Sequence, residues 1–203
     1  MSSLPPPVSV KWSPNVILVD ADYVDRVAFH LIVNFERMLD RRISPADLPT
    51  WLDCIALDGG LRPGENEIQV VLFHNKEVQE FKHFTPSDFA HDLDGVAFQD
   101  NLGEFTLQSV AVEALTSTTD LLKESVELLV QSDTVKTVMV IADTESKINA
   151  LLKAISETEG KEKTFTLFGM QPLPSAKAYT TQILGYSLMA ALGIRGEEVS
   201  SKM

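Results

Sequence analysis

The stretch that most constrains this chain is residues 15–22, Asn-Val-Ile-Leu-Val-Asp-Ala-Asp. Four consecutive apolar residues, three of them β-branched, run straight into two carboxylates. A short unbroken apolar run of this kind reads as a strand buried on both faces, the condition of a central strand in a parallel sheet. Asp20 and Asp22 then fall where that strand ends, and chemistry in open α/β sheets collects at the carboxyl ends of strands.

A second stretch repeats the pattern. Residues 135–142 (Val-Lys-Thr-Val-Met-Val-Ile-Ala) run directly into Asp143-Thr144-Glu145. Three further strands are expected at residues 68–74, 105–113 and 164–168. Helical periodicity lies between them. Residues 24–39 place apolar side chains at 24, 27, 28, 31, 32, 35, 38 and 39, one buried face of a helix. Residues 44–57 form a second helix capped by Ser44 or Asp47 and stopped at Asp58-Gly59-Gly60. A helix opening at Thr85-Pro86 and ending near Leu93, one opening at residues 116–119, one over 146–159 and one over 175–192 complete the pattern.

Strands alternating with helices define an α/β fold, a three-layer sandwich around a mainly parallel five-stranded sheet with right-handed crossovers. Numbering the five expected strands along the chain, the order is 3-2-1-4-5. The two strands that end in acid become neighbours at the switch point. The organisation is an N-terminal arm over residues 1–14, with three prolines in a row, a single domain over 15–195 and a polar tail over 196–203.

With 203 residues, the chain is long enough to bury a core without staples. Its one cysteine, Cys54, rules out a disulfide framework and reads as core packing. The Pro- and Ser-rich start lacks the apolar core of a signal peptide, and no apolar run reaches membrane-spanning length, so cytoplasm is the expected compartment. A net charge of −12 argues against a broad nucleic-acid footprint but not against a local basic groove.

The expected crevice gathers Asp20, Asp22, Asp143 and Glu145. Asp120, opening the helix after the third strand, lies on the same rim. Clustered carboxylates repel unless a cation holds them, which points to a hard divalent ion bound through oxygen, Mg²⁺ or Mn²⁺. Such an ion activates water and stabilises phosphoryl transfer. Each acid also has a plainer reading. Asp22 suits the N-cap of the first helix, Asp143 the cap of the helix near Ser146, and Asp120 and Glu145 suit first helical turns. His74 reads as a solvated strand end and Arg41-Arg42 as a solvated helix end.

Val-Ile-Leu-Val-Asp-Ala-Asp resembles the first strand of PIN-like nucleases, the NYN branch in particular. Thr-Val-Met-Val-Ile-Ala-Asp-Thr-Glu resembles their fourth strand, and Thr119-Asp120-Leu121-Leu122 is similar to their third acidic stretch. Order and spacing agree over residues 15–168, as in a divergent bacterial branch. The resemblance implies a Mg²⁺- or Mn²⁺-dependent ribonuclease acting on single-stranded RNA. Asp20, Asp120 and Asp143 would be its catalytic acids, and these three with Asp22 and Glu145 would supply metal ligands. Tyr23 stands where those proteins usually carry Asn, and Glu145 where they carry Asp. The competing expectation is a catalytically inactive domain of the same fold that binds or scaffolds. Asp20-Ala21-Asp22 also resembles the nucleophile loop of haloacid-dehalogenase phosphatases, which need a flexible loop where a helix is expected here. The apolar face of the last helix, Leu184, Leu188, Met189 and Leu192, is core by default and a homodimer seam as the alternative.

Overall fold

The computed structural model describes residues 11–145, 148–158 and 162–203. Most of the expected arm, the expected helix start at Ser146 and its closure at Glu159-Gly160 lie outside them.

In chain order the elements are β1 (Asn15–Asp20), α1 (Ala21–Leu39), β2 (Ala46–Asp47), α2 (Leu48–Asp58), β3 (Asn66–Asn75) and β4 (Phe84–Thr85). Then follow β5 (Ala97–Asp100), β6 (Gly103–Val112), α3 (Thr118–Gln131), β7 (Thr137–Ile141), α4 (Asn149–Ser156) and β8 (Thr164–Gly169). β9 (Thr180–Ile183), α5 (Leu184–Ala191) and α6 (Gly196–Lys202) end the chain. Among the described residues the central sheet has seven strands rather than five, in the order β5-β6-β3-β1-β7-β8-β9. β5 is antiparallel to β6, and the other pairings are parallel. The five-strand expectation is corrected by the two edge strands, β5 and β9. Both are four residues long and alternate exposed with half-buried positions. Neither carries the continuous apolar run that marks a buried strand.

β1 is buried along its whole length. Its pleat sends Ile17 and Val19 into one core, with α1, α2 and α5, and Val16 and Leu18 into a second, with α3 and α4. That alternation is the physical content of the apolar run, since both faces of the strand are covered. Each such side chain contributes about 1.5–3 kcal/mol by leaving water.

Several helical expectations are corrected. Over residues 175–192, Thr180 to Ile183 pair with β8, so the helix starts only at Leu184. Its face is spent inside the chain, with Leu184, Leu188 and Leu192 buried and Ser187 accepting the Trp51 indole N–H at 3.2 Å. At residues 85–93, Phe84 and Thr85 pair with β2 instead of opening an α-helix. A single π-helical turn follows at Phe89–Leu93, capped by Asp88, which accepts the Ala90 and His91 amides. α2 starts at Leu48, capped by Asp47. The expected tail at 196–203 contains α6, which Arg41 ties down through Glu198 and the Gly193 carbonyl. Arg41 is thus an exposed anchor.

Candidate functional site

The switch point lies where β1 is flanked by β3 on one side and β7 on the other. Val19 pairs with Ile141, so Asp20 emerges beside the end of β7 and Asp143 follows two residues past Ile141. Acids more than a hundred residues apart therefore share one crevice.

Their individual roles differ from the sequence expectation. Asp20, not Asp22, caps α1, and its Oδ1 accepts the Tyr23 amide at 3.1 Å. The helix begins at Ala21, immediately after the strand, which brings Asp20 to the cap and puts Asp22 in the first turn. Asp22 reaches sideways, and its Oδ2 accepts the Asn75 amide at the end of β3, at 2.7 Å. Among the described residues Asp143 meets two groups, one through each oxygen. Its Oδ1 accepts the Glu145 amide at 3.1 Å, closing a local turn, and its Oδ2 accepts a proton of the Arg26 guanidinium at 3.1 Å. α4 starts at Asn149 without a side-chain cap.

Asp20 is 8% exposed. Burial pushes its carboxyl up to about 6, the Tyr23 amide pulls the other way, and the charges of Asp22 and Asp143 push it further up. Arg26 offsets part of that repulsion. The Tyr23 phenol is buried, which raises its pKa, and its hydroxyl is hydrogen-bonded to the Thr144 side chain. Arg26 also lies over the Tyr23 ring, 5.5 Å from its centroid. Tyr23 and Arg26 thus link α1 to the 143–145 turn. Sequence reasoning missed Arg26. The signal was its spacing, four residues after Asp22 on the same helical face as the crevice.

Asp120 and Glu145 are exposed. Asp120 sits in the first turn of α3, where the Ser117 hydroxyl accepts its amide at 3.0 Å. The crevice gathers Asp20, Asp22 and Asp143 around Tyr23 and Arg26. Among the described residues, no group of three or more His, Cys, Asp or Glu side chains is arranged to hold a metal ion. Asp143 is turned onto a guanidinium and Asp22 onto a backbone amide. His74, at the end of β3, is buried and stacks on Phe89 at 4.0 Å, and its Nδ1 meets the Asn75 and Val78 carbonyls. It is a core histidine and not a solvated strand end.

The fold and crevice define an α/β protein with a mainly parallel sheet and an acidic switch point bridged by one arginine. Residues 9–199 match the model of a family of unknown function, DUF6621, and the chain belongs to that family. No curated protein and no solved structure matches it. Among the described residues, no helix is long and apolar enough to cross a membrane.

Proposed function

We propose that the chain is a non-catalytic binding module built on a PIN-like, Rossmann-like frame. The observation that carries this reading is the Arg26–Asp143 ion pair across the crevice. It places a cation where a metal-dependent nuclease needs acids facing one another. Asp20 serves as a helix cap and Asp22 as a tether for β3, so each crevice acid has a structural role.

The test combines thermal melting with an RNA assay. Mg²⁺ or Mn²⁺ should leave the melting temperature unchanged, and single-stranded RNA should stay intact. Asp20→Asn should be neutral or stabilising, since Asn keeps the cap and removes a buried charge.

One observation favours the alternative, a Mg²⁺- or Mn²⁺-dependent endoribonuclease. Asp20, Asp22 and Asp143 raise one another's energy, and a divalent cation would relieve that repulsion once Arg26 swung away. Metal-linked stabilisation together with RNA cleavage that Asp20→Asn abolishes would establish this reading and sink the first.

A further inference from the structure

Beside the crevice, between α1 and the loop of residues 75–83, lies an open cavity of about 570 Å³. Small-molecule sites span roughly 300–1,000 Å³. Asp22, Asp25, Arg26, Phe29, Lys82 and His83 are among its lining residues.

The hydrogen-bonding capacity of this lining is one-sided. The carboxylates are held by the loop's backbone. Asp25 accepts the Lys82 amide at 3.0 Å and the His83 amide at 2.9 Å, and Asp22 accepts the Asn75 amide. The donors are not spent. Among the described residues the Lys82 ammonium has no acceptor, and Arg26 commits only one terminal nitrogen, to Asp143. Available charged donors on a cavity rim call for an acceptor-rich ligand. Two flexible cations on one rim suit a phosphate dianion.

The apolar wall adds a second requirement. Phe29 is 44% exposed although it is a large aromatic residue on a packed helix. Its ring lies 5.2 Å from that of His83, tilted by 31°, and Val78 also lines the cavity. An exposed aromatic face beside an imidazole is a platform for a flat ring.

We propose that this cavity binds a small phosphate monoester carrying a planar ring, the ring on Phe29 and His83 and the phosphate between Lys82 and Arg26. The inference extends the binding-module reading and rests on it for the pocket's purpose, not for its chemistry.

The test is an amide chemical-shift titration of the full chain, without metal, using phenyl phosphate, inorganic phosphate and phenol as separate probes. Phenyl phosphate should shift the Phe29 and His83 amides saturably and bind more tightly than either fragment. Lys82→Ala should weaken phenyl phosphate and inorganic phosphate alike, by about tenfold for a lost charge-assisted contact. Phe29→Ala should weaken phenyl phosphate by about three- to tenfold and leave inorganic phosphate unchanged. Both side chains are substantially exposed, so neither variant threatens the fold. Absence of saturation, indifference to Lys82→Ala, or phenol binding as well as phenyl phosphate would overturn the phosphate site. Equal affinity for phosphate and phenyl phosphate would overturn the ring platform. With no RNA or metal present, a negative result leaves the crevice reading standing, and RNA cleavage leaves the pocket standing.

Discussion

The Arg26 guanidinium on α1 meets the Asp143 carboxylate beyond β7 at 3.1 Å, spanning the switch point between residues 117 positions apart. The guanidinium is 54% exposed, so the pair adds little to stability. Its effect is electrostatic and local. Arg26 lowers the pKa of Asp20, against the burial and like charges that raise it. Arg26→Leu should therefore cost less than about 1 kcal/mol of stability. It should also move the Asp20 titration above its starting value near 6, read from the carboxyl carbon by NMR. An unmoved titration would mean that the pair does not govern the crevice.

Asp20 sets a pH dependence whose sign follows from its raised pKa. The folded state holds the proton more tightly than the unfolded state does. The stability this contributes is complete below about 3.8, is lost as pH rises to about 6, and stays lost above that. The shift corresponds to roughly 3 kcal/mol at neutral pH. Asp20→Asn keeps an N-cap for Tyr23 and should raise the melting temperature at pH 7.5 more than at pH 4. Denaturation curves at the two pH values check this, and a uniform loss of stability would show that the charge, not only the cap, is needed.

What the sequence disclosed, and what it withheld, follows from these residues. The buried strands were legible because burial on both faces forces an unbroken apolar run, as in Val16 to Val19. Their connections made Asp20 and Asp143 neighbours. The edge strands β5 and β9 were not legible, because an edge strand need not be apolar, and Thr180 and Thr181 fit a helical start equally well by composition. At the crevice the acids could be named but not their partners. Whether a carboxylate meets a metal or an arginine depends on side chains brought in by packing, and Arg26 has no motif of its own. Asp20 and Asp22 exchanged cap roles because the helix starts three residues earlier than its apolar periodicity suggests. Boundaries of that kind depend on cap geometry and not on pattern.

Arg41 fastens α6. Its Nε and Nη2 donate to the two oxygens of Glu198 at 2.9 and 3.0 Å, and Nη2 also donates to the Gly193 carbonyl at 3.1 Å. This fork holds Glu198 well below the usual carboxylate range. α6 buries no residue of its own. Arg41→Ala should therefore release α6 with little loss of global stability. The measurement is amide hydrogen exchange: faster exchange confined to residues 196–203 is expected, and protection equal to wild type would show that other contacts hold the helix.

Asp53 is a second raised carboxyl, on α2 and facing Asp100 of the β5–β6 hairpin. The Asp100 carboxyl lies close enough to take a hydrogen bond from Asp53 when Asp53 is protonated. The Asp53 Oδ1 is buried and has no partner among the described residues, while Asp100 accepts the Leu102 amide at 2.8 Å in the hairpin turn. Burial first, then Asp100, then the charge of Asp47 push Asp53 up to about 7. The sign is that of Asp20 over a wider window, with stability full below about 3.8 and lost as pH rises through 7. Asp53→Asn replaces the shared proton by an amide that donates to Asp100 at every pH. It should leave the melting temperature at pH 4 nearly unchanged and raise it at pH 8, flattening the profile between. Asp53→Ala removes the donor and the charge together, so at pH 4 it should fall below wild type while Asp53→Asn does not. Parallel profiles for wild type and Asp53→Asn from pH 4 to 8 would show that the two carboxyls share no proton.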